Sequence, residues 1–342
     1  MPAESASAPE LTPARIFDTL NGFQRSAALR GAIELGLFTA IASGDDTVEK
    51  LTIRCGGQPR AVRILCDFLT VSGFLRKERD RYSLATDVAV FLDSRSPAYL
   101  GGITGFLNSG PLRDAFRDIA AVVRTGRTQL PGEGTVETNF AGWVDFARSM
   151  VPMMRAPADF LAEVAHRLRP QAATVLDIAA GHGLFGITVA RQLPQARITA
   201  LDWAPVLKVA EENALAAGIA RRHVLLPGDA LSMDYGGPYD LILVTNFLHH
   251  FSREICVAFL KRVERALAPN GIVLTLEFVP NADRVSPPMP AEFAFTMLGT
   301  TAEGDAYTYE EYSSMFAEAG LACQEMHDVP RSAQRLIVSS RG

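Results

Sequence analysis

Short apolar segments and helical segments alternate along the C-terminal half of the chain, and this pattern limits the possible folds most strongly. Five segments have the length and composition of β-strands: TVLDIA, ARITALD, HVLLPGD, YDLILVTN and GIVLTLEF. Three helical segments lie between them: GLFGITVARQL, APVLKVAEENALAAG and REICVAFLKRVERAL. This alternation predicts an open, mostly parallel sheet with helices on both faces, over residues 170–342. Ligands bind such sheets at the carboxyl ends of the strands.

Three glycines follow the first of these strands in the pattern Gly181-x-Gly183-x-x-Gly186. Glycines at this spacing let the backbone turn tightly and approach a ligand closely, and a strand before and a helix after them are the expected context. The fold class is therefore expected to be α/β and Rossmann-like. Two ligand classes fit this turn. One is a dinucleotide such as NAD, and the other is S-adenosylmethionine, which has a sulfonium and an ammonium group but no phosphate.

Carboxylates stand near three of the predicted strand ends. Asp177 lies just before the glycine turn, Asp202 ends the second strand, and Asp229 ends the third. A carboxylate at this turn repels a pyrophosphate by roughly 1–4 kcal/mol, but it attracts an ammonium or sulfonium group. We expect Asp202 to bind ribose hydroxyls and Asp229 to accept from an adenine amino group. Each aspartate alone also fits a turn or a helix cap, but together they favour a cationic nucleoside.

Residues 13–95 are predicted to form a winged-helix domain, preceded by a disordered tail at residues 1–12. The segments AALRGAIELGLFTAI and QPRAVRILCDFLTVSGFL have helical spacing, and FLRKERDRYSLA has the pattern of two short strands around a charged turn. Between Lys50 and Arg81 there are eight basic residues and three acidic ones. This excess fits a DNA-binding regulator. It also fits the solvated face of a domain that packs against a partner subunit, and the large, enzyme-like remainder of the chain favours this second interpretation.

Residues 96–169 are expected to form a helical linker that contributes to a substrate pocket. Apolar side chains recur there at helical spacing; they are Trp143, Phe146, Met150, Met153 and Met154. Such a stripe fits a plain core as well as an adaptable binding pocket, because methionine suits both.

Composition narrows the function classes. The formal net charge is −5, which does not favour nucleic acid as a partner. No apolar run approaches the roughly 18 residues of a membrane span, and the N-terminus does not read as a secretory signal. The lack of such a run predicts no membrane partner. None of the four cysteines forms a C-x-x-C pair, so we expect free thiols and a reducing cytoplasm.

The chain resembles class I S-adenosylmethionine-dependent methyltransferases. More narrowly, it is similar to the O-methyltransferase family that includes the acetylserotonin, caffeic acid and hydroxyneurosporene enzymes. The resemblance rests on ELGLFTAI, QPRAVRILCDFL and GFLRKERDRYSLA in the N-terminal part, and on DIAAGHG, LDWAP, PGDA, FLHHFS and FVPNADR in the C-terminal part. It implies that the winged-helix domain is the interface of a homodimer rather than a reader of DNA.

The resemblance also assigns cofactor-binding roles. Gly181 and Gly183 would contact the methionine part of S-adenosylmethionine, while Trp203 and Ala230 would line the adenine slot beside Asp202 and Asp229. Asp177 and Asn246 complete the predicted cofactor-binding set.

The stretch NFLHHFS supplies two histidines just beyond the fourth strand. In the resembled family a histidine at the position of His249 is the general base, and a positioned imidazole contributes about 10²- to 10⁴-fold. Glu277, at the end of the fifth strand, is predicted to orient it. His250 and Phe251 replace the acidic residue and the tryptophan that are common in the family. His249 also fits a capped or core histidine, and neighbouring histidines do not favour a metal site, so no metal is expected.

One departure from the family pattern concerns a second acidic residue. The family's G-x-E-R-T-like stretch reads GDAYT here, so Ala306 takes the acidic position and Asp305 is expected to point elsewhere. Transfer to carbon or nitrogen by proximity therefore stays open beside O-methylation, and an NAD-dependent oxidoreductase stays open beside both. The predicted pocket for a small, apolar or aromatic acceptor includes Trp143, Phe146, Met150, Met153, His250, Phe293, Met297 and Tyr307.

Overall fold

The computed structural model describes residues 11–137 and 142–342 of the chain. Contacts between residues divide it into two compact units, one ending at Thr104 and the other beginning at Gly105. Residues 1–10 of the predicted tail lie outside the described residues. The predicted bounds of the tail, the winged-helix domain, the linker and the catalytic domain stay predictions.

The first unit consists of short helices and one hairpin. Its elements are α1 (Ala14–Leu20), α2 (Gly22–Glu34), α3 (Leu37–Ala42), α4 (Val48–Cys55), α5 (Pro59–Val71), β1 (Leu75–Glu78), β2 (Arg81–Leu84) and α6 (Thr86–Phe91). The Thr47 side chain caps α4 by accepting from the backbone N–H of Lys50, and Pro59 opens α5. Strands β1 and β2 pair antiparallel around Arg79 and Asp80. The helices followed by a hairpin are the expected winged-helix arrangement.

Much of the basic excess of this unit is neutralised within the unit. The carboxylate of Asp67 lies 2.8 Å from Arg63 Nη1 and 2.5 Å from Lys77 Nζ, and it accepts from the Tyr82 hydroxyl at 2.7 Å. Asp46 pairs with Lys50 at 3.0 Å and with Arg81. These ion pairs leave less free positive charge for phosphates than the sequence count indicates.

The second unit contains the sheet. Its helices are α7 (Ile103–Leu107, which begins at the division), α8 (Gly110–Ala115), α9 (Ile119–Thr125), α10 (Gly142–Leu168), α11 (Leu184–Gln192), α12 (Ala204–Ala216), α13 (Arg253–Ala266), α14 (Pro288–Thr300) and α15 (Tyr309–Glu318). Its strands are β3 (Thr174–Ile178), β4 (Arg197–Asp202), β5 (His223–Pro227), β6 (Tyr239–Thr245), β7 (Leu267–Glu277), β8 (Leu321–Asp328) and β9 (Arg335–Arg341). Single 3₁₀ turns span Ala220–Arg222 and Leu248–His250.

The seven strands lie in the order β5-β4-β3-β6-β7-β9-β8. Strands β3 to β7 are parallel, and β9 and β8 are added antiparallel at one side. The predicted α/β class with a mostly parallel sheet is confirmed. The chain runs outward from β3 to β4 and β5 and then returns to the other side of β3 as β6. The carboxyl ends of β3 and β6 therefore flank the crevice in which ligands bind in such sheets.

Candidate active site

The two strands at this crevice end in the same unusual backbone conformation. Ala179, just after β3, has φ 53°, and Asn246, just after β6, has φ 54°. Left-handed φ values are uncommon for residues other than glycine and cluster at functional sites. The Asn246 side chain is held by the Gln334 amide and lies 3.8 Å from the sulfur of Met154. Both strands thus turn sharply away where a ligand would lie.

The three glycines after β3 serve different purposes. A Cβ on Gly183 would lie 3.0 Å from the Cβ of Ala210, and one on Gly186 would lie 2.6 Å from Ile198. These two glycines are needed for packing of α11 against its neighbours. A Cβ on Gly181 would meet only the Ala179 carbonyl oxygen, at 3.8 Å, and its φ is 56°. Gly181 therefore exposes its backbone to open space, which suits close approach of a ligand.

Asp177 is fully buried beneath this loop. Its Oδ2 accepts from the backbone N–H of Gly186 at 2.9 Å, while its Oδ1 has no partner among the described residues. Burial raises the pKa of this carboxyl to about 7. An unpaired carboxylate oxygen favours a cationic neighbour, although direct contact of Asp177 with the cofactor stays a prediction.

Asp202 is bound to the glycine loop itself. It accepts from the N–H of Gly181 at 2.8 Å and from that of Trp203 at 2.7 Å. Burial raises its pKa to about 6, despite these two bonds. The aspartate predicted to bind ribose thus also fixes the turn that carries Gly181.

Asp229 and its neighbours form the turn after β5. The carboxylate accepts from the Leu231 N–H at 2.9 Å and from the Ser232 hydroxyl at 2.8 Å. Ala230 is buried, and its carbonyl accepts from the hydroxyl of Tyr235. Trp203, the residue before α12, packs with Ala147, Val206 and Val209. These placements agree with the predicted slot for a flat ring.

His182, between the first two glycines, was missed by sequence reasoning. It is buried, its Nδ1 accepts from the N–H of Leu184 at 3.1 Å, and its carbonyl accepts from the Asn213 amide at 2.8 Å. Burial lowers its pKa to about 4, so the ring is neutral at physiological pH. The pattern indicated only glycines here, and a histidine between them carried no separate signal.

His249 and Glu277 are brought together by neighbouring parallel strands. The Nδ1 of His249 lies 2.5 Å from Glu277 Oε2, and both side chains are almost wholly buried. The other carboxylate oxygen, Oε1, accepts from the N–H groups of Phe247 and Leu248, each at 2.8 Å. Because an ionised carboxylate can only accept, the Nδ1 of His249 carries the hydrogen and Nε2 has a free lone pair.

Aromatic rings form a continuous series of contacts on both sides of this histidine. Phe293 stands edge-on to His249 with ring centroids 4.7 Å apart, and it stacks on Phe278 at 4.1 Å. On the other side the His250 ring lies 4.3 Å from that of His249 and 5.4 Å from Trp143. Trp143 packs in turn against Phe146 and Phe106. Sequence reasoning did not assign Phe106, which lies outside the stripe and the motifs, or Phe278, which begins the FVPNADR motif but was given no role there.

The predicted methionines and Tyr307 have mixed placements. Met297 is buried and Met150 partly buried, whereas Met153 is 44% exposed and Met154 is 7% exposed. Met154, beside Asn246, is therefore the residue that faces inward. The hydroxyl of Tyr307 donates to the carbonyl of Phe251 at 2.7 Å, so its polar end is already engaged.

The GDAYT stretch leaves His249 with one acidic partner. Ala306 is fully buried, and the Asp305 carboxylate lies 3.3 Å from Arg284 rather than on the histidine. A groove of about 490 Å³ runs along the outer side of this stretch, lined by Phe295, Gly304, Asp305 and Tyr307 among others, but not by His249.

No group of three metal-binding side chains occurs in the part of the chain that the structure describes. Within the same part, no helix is long and apolar enough to span a membrane.

Together, the sheet order, the glycine turn and the His–Glu pair define a Rossmann-like methyltransferase. Family models identify an O-methyltransferase domain at residues 116–322 and an O-methyltransferase dimerisation domain at residues 17–94. The chain belongs to the O-methyltransferase family. This membership decides between the two cofactor classes that the glycine spacing left open, because the family uses S-adenosylmethionine.

Individual relatives agree with this membership. A Nostoc punctiforme protein assigned as an O-methyltransferase has 43% identity and a TM-score of 0.94, over 96% of this chain and 99% of that one. The tetracenomycin polyketide synthesis 8-O-methyltransferase of Streptomyces glaucescens is 28% identical over 90% of this chain and 91% of its own. The 3-hydroxy-5-methyl-1-naphthoate 3-O-methyltransferase of Streptomyces sahachiroi is 27% identical over 93% and 91%.

Proposed function

We propose that this enzyme methylates a phenolic hydroxyl of a small, apolar aromatic molecule, with His249 as the general base and Glu277 as its orienting partner. The observation that carries the proposal is the 2.5 Å contact between His249 Nδ1 and Glu277 Oε2. It leaves Nε2 as the only ring nitrogen that can take a proton. Bound S-adenosylmethionine supplies a methyl group already activated by a sulfonium, so the protein's task is to position the acceptor and remove its proton.

The His–Glu pair can perform this proton transfer without assistance from solvent. His249 Nε2 takes the hydroxyl proton, and the imidazolium that forms is stabilised by the Glu277 carboxylate at Nδ1. Two backbone N–H groups donate to the other oxygen of Glu277 and so hold the carboxylate in place against the ring. Both side chains are buried, which strengthens each of these interactions.

The residues at the ends of β3, β4 and β5 fit a cationic nucleoside. The unpaired Oδ1 of Asp177 and the open backbone at Gly181 are the observations that support this fit. On this proposal the methionine part of the cofactor contacts Gly181, Gly183 and Asn246. Asp202 binds the ribose, and Asp229 binds the adenine between Trp203 and Ala230.

The acceptor class follows from the rings around His249. Phe293, Trp143, Phe146 and His250 offer faces and edges to a flat ring. On this proposal Met150 and Met297 add apolar surface to the same pocket. Aromatic rings pack favourably at centroid distances of about 4.5–7 Å. Two relatives, named for a polyketide and a naphthoate, act on molecules of this kind. Met153, being exposed, and Tyr307, being engaged through its hydroxyl, have lesser roles in this pocket.

The test uses a panel of hydroxylated naphthalenes, coumarins and anthraquinones with radiolabelled S-adenosylmethionine. We expect His249→Ala to lower turnover at least about 10²-fold, with cofactor affinity nearly unchanged. His166→Ala, at an exposed position on α10, is the matched control and should retain activity. Full turnover by His249→Ala would show that positioning alone suffices and would remove His249 from the mechanism.

A homodimer through the N-terminal unit is the expected assembly. Four apolar side chains on α1 and the start of α2 are each more than half exposed: Ile16, Phe17, Leu20 and Phe23. A contiguous apolar face of this kind marks a protein interface. We expect the double variant Phe17→Asp and Leu20→Asp to halve the mass measured by light scattering. Leu215→Asp, at an equally exposed position on α12, should leave the mass unchanged; a monomeric wild type would contradict the assignment.

The four cysteines are free thiols. Because disulfides are rare in reducing compartments, this pattern supports the cytoplasm as the place where the enzyme works.

A further inference from the structure

His249 is held from two directions, and only one of them is its carboxylate partner. Glu277 binds the ring and the two backbone N–H groups that precede it. From the other side, the backbone N–H of Asp305 donates to the His249 carbonyl oxygen at 3.0 Å. This second bond comes from the loop after α14, in the stretch where the family pattern has an acidic residue and this chain has Ala306.

The loop approaches His249 so closely that only glycine fits at residue 304. A Cβ there would lie 2.6 Å from the Thr301 hydroxyl and closer still to the His249 carbonyl oxygen. The Gly304 N–H donates to the Thr301 hydroxyl at 2.9 Å, and that hydroxyl donates to the Met297 carbonyl at 2.8 Å. The loop is thereby fastened to the last turn of α14.

Ion pairs fix the outer side of the same loop. The carboxylate of Asp305 lies 3.3 Å from Arg284, which also pairs with Glu311. Glu311 belongs to a capping box with Thr308 at the start of α15. The Asp305 side chain is therefore turned away from His249 while its main-chain N–H is turned towards it.

We propose that residues Gly304 and Asp305 are positioning residues for the base, and that their backbone does the work which a second acidic side chain does in the family pattern. This inference rests on the proposed function, in which His249 is the base. Gly304 permits the close approach, Asp305 supplies the N–H, and Arg284 keeps the loop in place. The loop acts on the reaction only through the position of His249.

The first experiment needs no acceptor. The proton on His249 Nδ1, held against a carboxylate, should give a far-downfield proton NMR signal that is absent from His249→Ala. We expect Gly304→Ala to shift or abolish this signal, because the added methyl must displace the His249 backbone. Gly110→Ala is the matched control, since a Cβ there meets nothing within 4 Å. An unchanged signal in Gly304→Ala would overturn the proposal.

The second experiment separates base positioning from pocket shape. The acceptors are 7-hydroxycoumarin, whose hydroxyl is largely neutral at pH 6.5, and 6,8-difluoro-7-hydroxycoumarin, whose hydroxyl is ionised there. We expect Gly304→Ala to lose about 10- to 10²-fold in kcat on the neutral phenol, as a small misplacement of a catalytic group does, and under threefold on the ionised one. Equal losses on both acceptors would mean that the loop only shapes the pocket, which contradicts the proposal.

A milder variant guards against misfolding of Gly304→Ala. Arg284→Asn removes both ion pairs at an exposed site, and asparagine tolerates the φ of 57° found there. It should show the same preference for the ionised acceptor, with a smaller loss in kcat of about two- to fivefold on the neutral one. Absence of this preference would contradict the positioning role of the loop. If His249→Ala itself loses equally on both coumarins, the base assignment fails, whatever the loop variants do. If neither coumarin is methylated, the NMR signal alone decides.

Discussion

Glu277 and Asp177 are both fully buried carboxylates near the crevice, yet their surroundings are opposite. Glu277 has three partners, which are two backbone N–H groups and the His249 ring. Asp177 has one backbone partner, and its Oδ1 has none among the described residues. A buried charge without partners is costly, whereas one with several donors is stable. The comparison teaches that the fold itself supplies the partners of Glu277, whereas Asp177 keeps one oxygen for which we propose a cationic ligand.

The largest effect should come from removing the charge of Glu277. In Glu277→Gln the amide oxygen can still accept from the backbone, but the amide NH₂ now faces His249 Nδ1. Nδ1 must then accept, so Nε2 carries the hydrogen and cannot act as base. We expect kcat to fall at least about 10²-fold, as wrong-tautomer variants do. Glu325→Gln, beside His327 on the surface, is the control; retained activity in Glu277→Gln would break the comparison.

The next largest effect concerns Asp177. Because its free oxygen has no hydrogen-bond partner among the described residues, we expect Asp177→Asn to weaken S-adenosylmethionine binding about tenfold, and S-adenosylhomocysteine less, since its sulfur is neutral. Calorimetry of both ligands measures this, with Asp234→Asn as a surface control for the lost charge. Equal weakening for the two ligands would show that Asp177 does not sense the sulfonium.

The same carboxyl should make cofactor binding depend on pH. Burial raises the pKa of Asp177 to about 7, so folding favours its protonated form. Its stabilising effect is then complete below about pH 4 and is lost as the pH rises through 7. A cation favours the ionised form, so affinity for S-adenosylmethionine should rise between pH 6 and 8. Asp177→Asn should remove this rise in affinity and leave only a rise at lower pH from Asp202, whose pKa is about 6.

The smallest effect is expected for Asp67. In contrast to the buried Asp177, this carboxylate lies near the surface and pairs with two cations. Its hydrogen bonds with Lys77, then Tyr82 and Arg63, lower its pKa to about 2. Its stabilisation is therefore present above pH 4 and lost as the pH falls to 2. Asp67→Asn should cost at most about 1 kcal/mol at pH 7, the upper range for exposed pairs. Acid denaturation curves measure it; a larger loss would mean that screening is weaker than exposure suggests.

Sequence patterns predicted the parts that depend on local order. The strands β3 to β7 and the glycine turn follow from apolar periodicity and glycine spacing. The pairing of His249 with Glu277 was expected from the resemblance to the family, in which acidic residues orient the histidine, and from the place of Glu277 at the end of the fifth predicted strand. Strands β8 and β9 were not among the predicted five, because LACQEMHD mixes polar and apolar residues on a half-buried edge.

Other features depend on contacts that sequence spacing cannot supply. Helical spacing shows which residues of α10 share a face, but not which face is buried. Met153 was therefore predicted to line the pocket, whereas Met154 is the residue that faces inward. The bonds of Asp202 to Gly181, and of Asp305 to the His249 carbonyl, use backbone atoms that every residue has. The identity of the amino acids therefore does not reveal which backbone groups form these hydrogen bonds.

The aromatic wall and the proton-transfer pair belong to different parts of the second unit. Trp143 and Phe146 come from α10 and Phe293 from α14, whereas His249 follows the central strand β6 and Glu277 ends the neighbouring strand β7. Enzyme engineers can therefore change which acceptors fit by substituting the aromatic residues of the two helices one at a time. The proposed catalytic pair at the strand ends would stay unchanged.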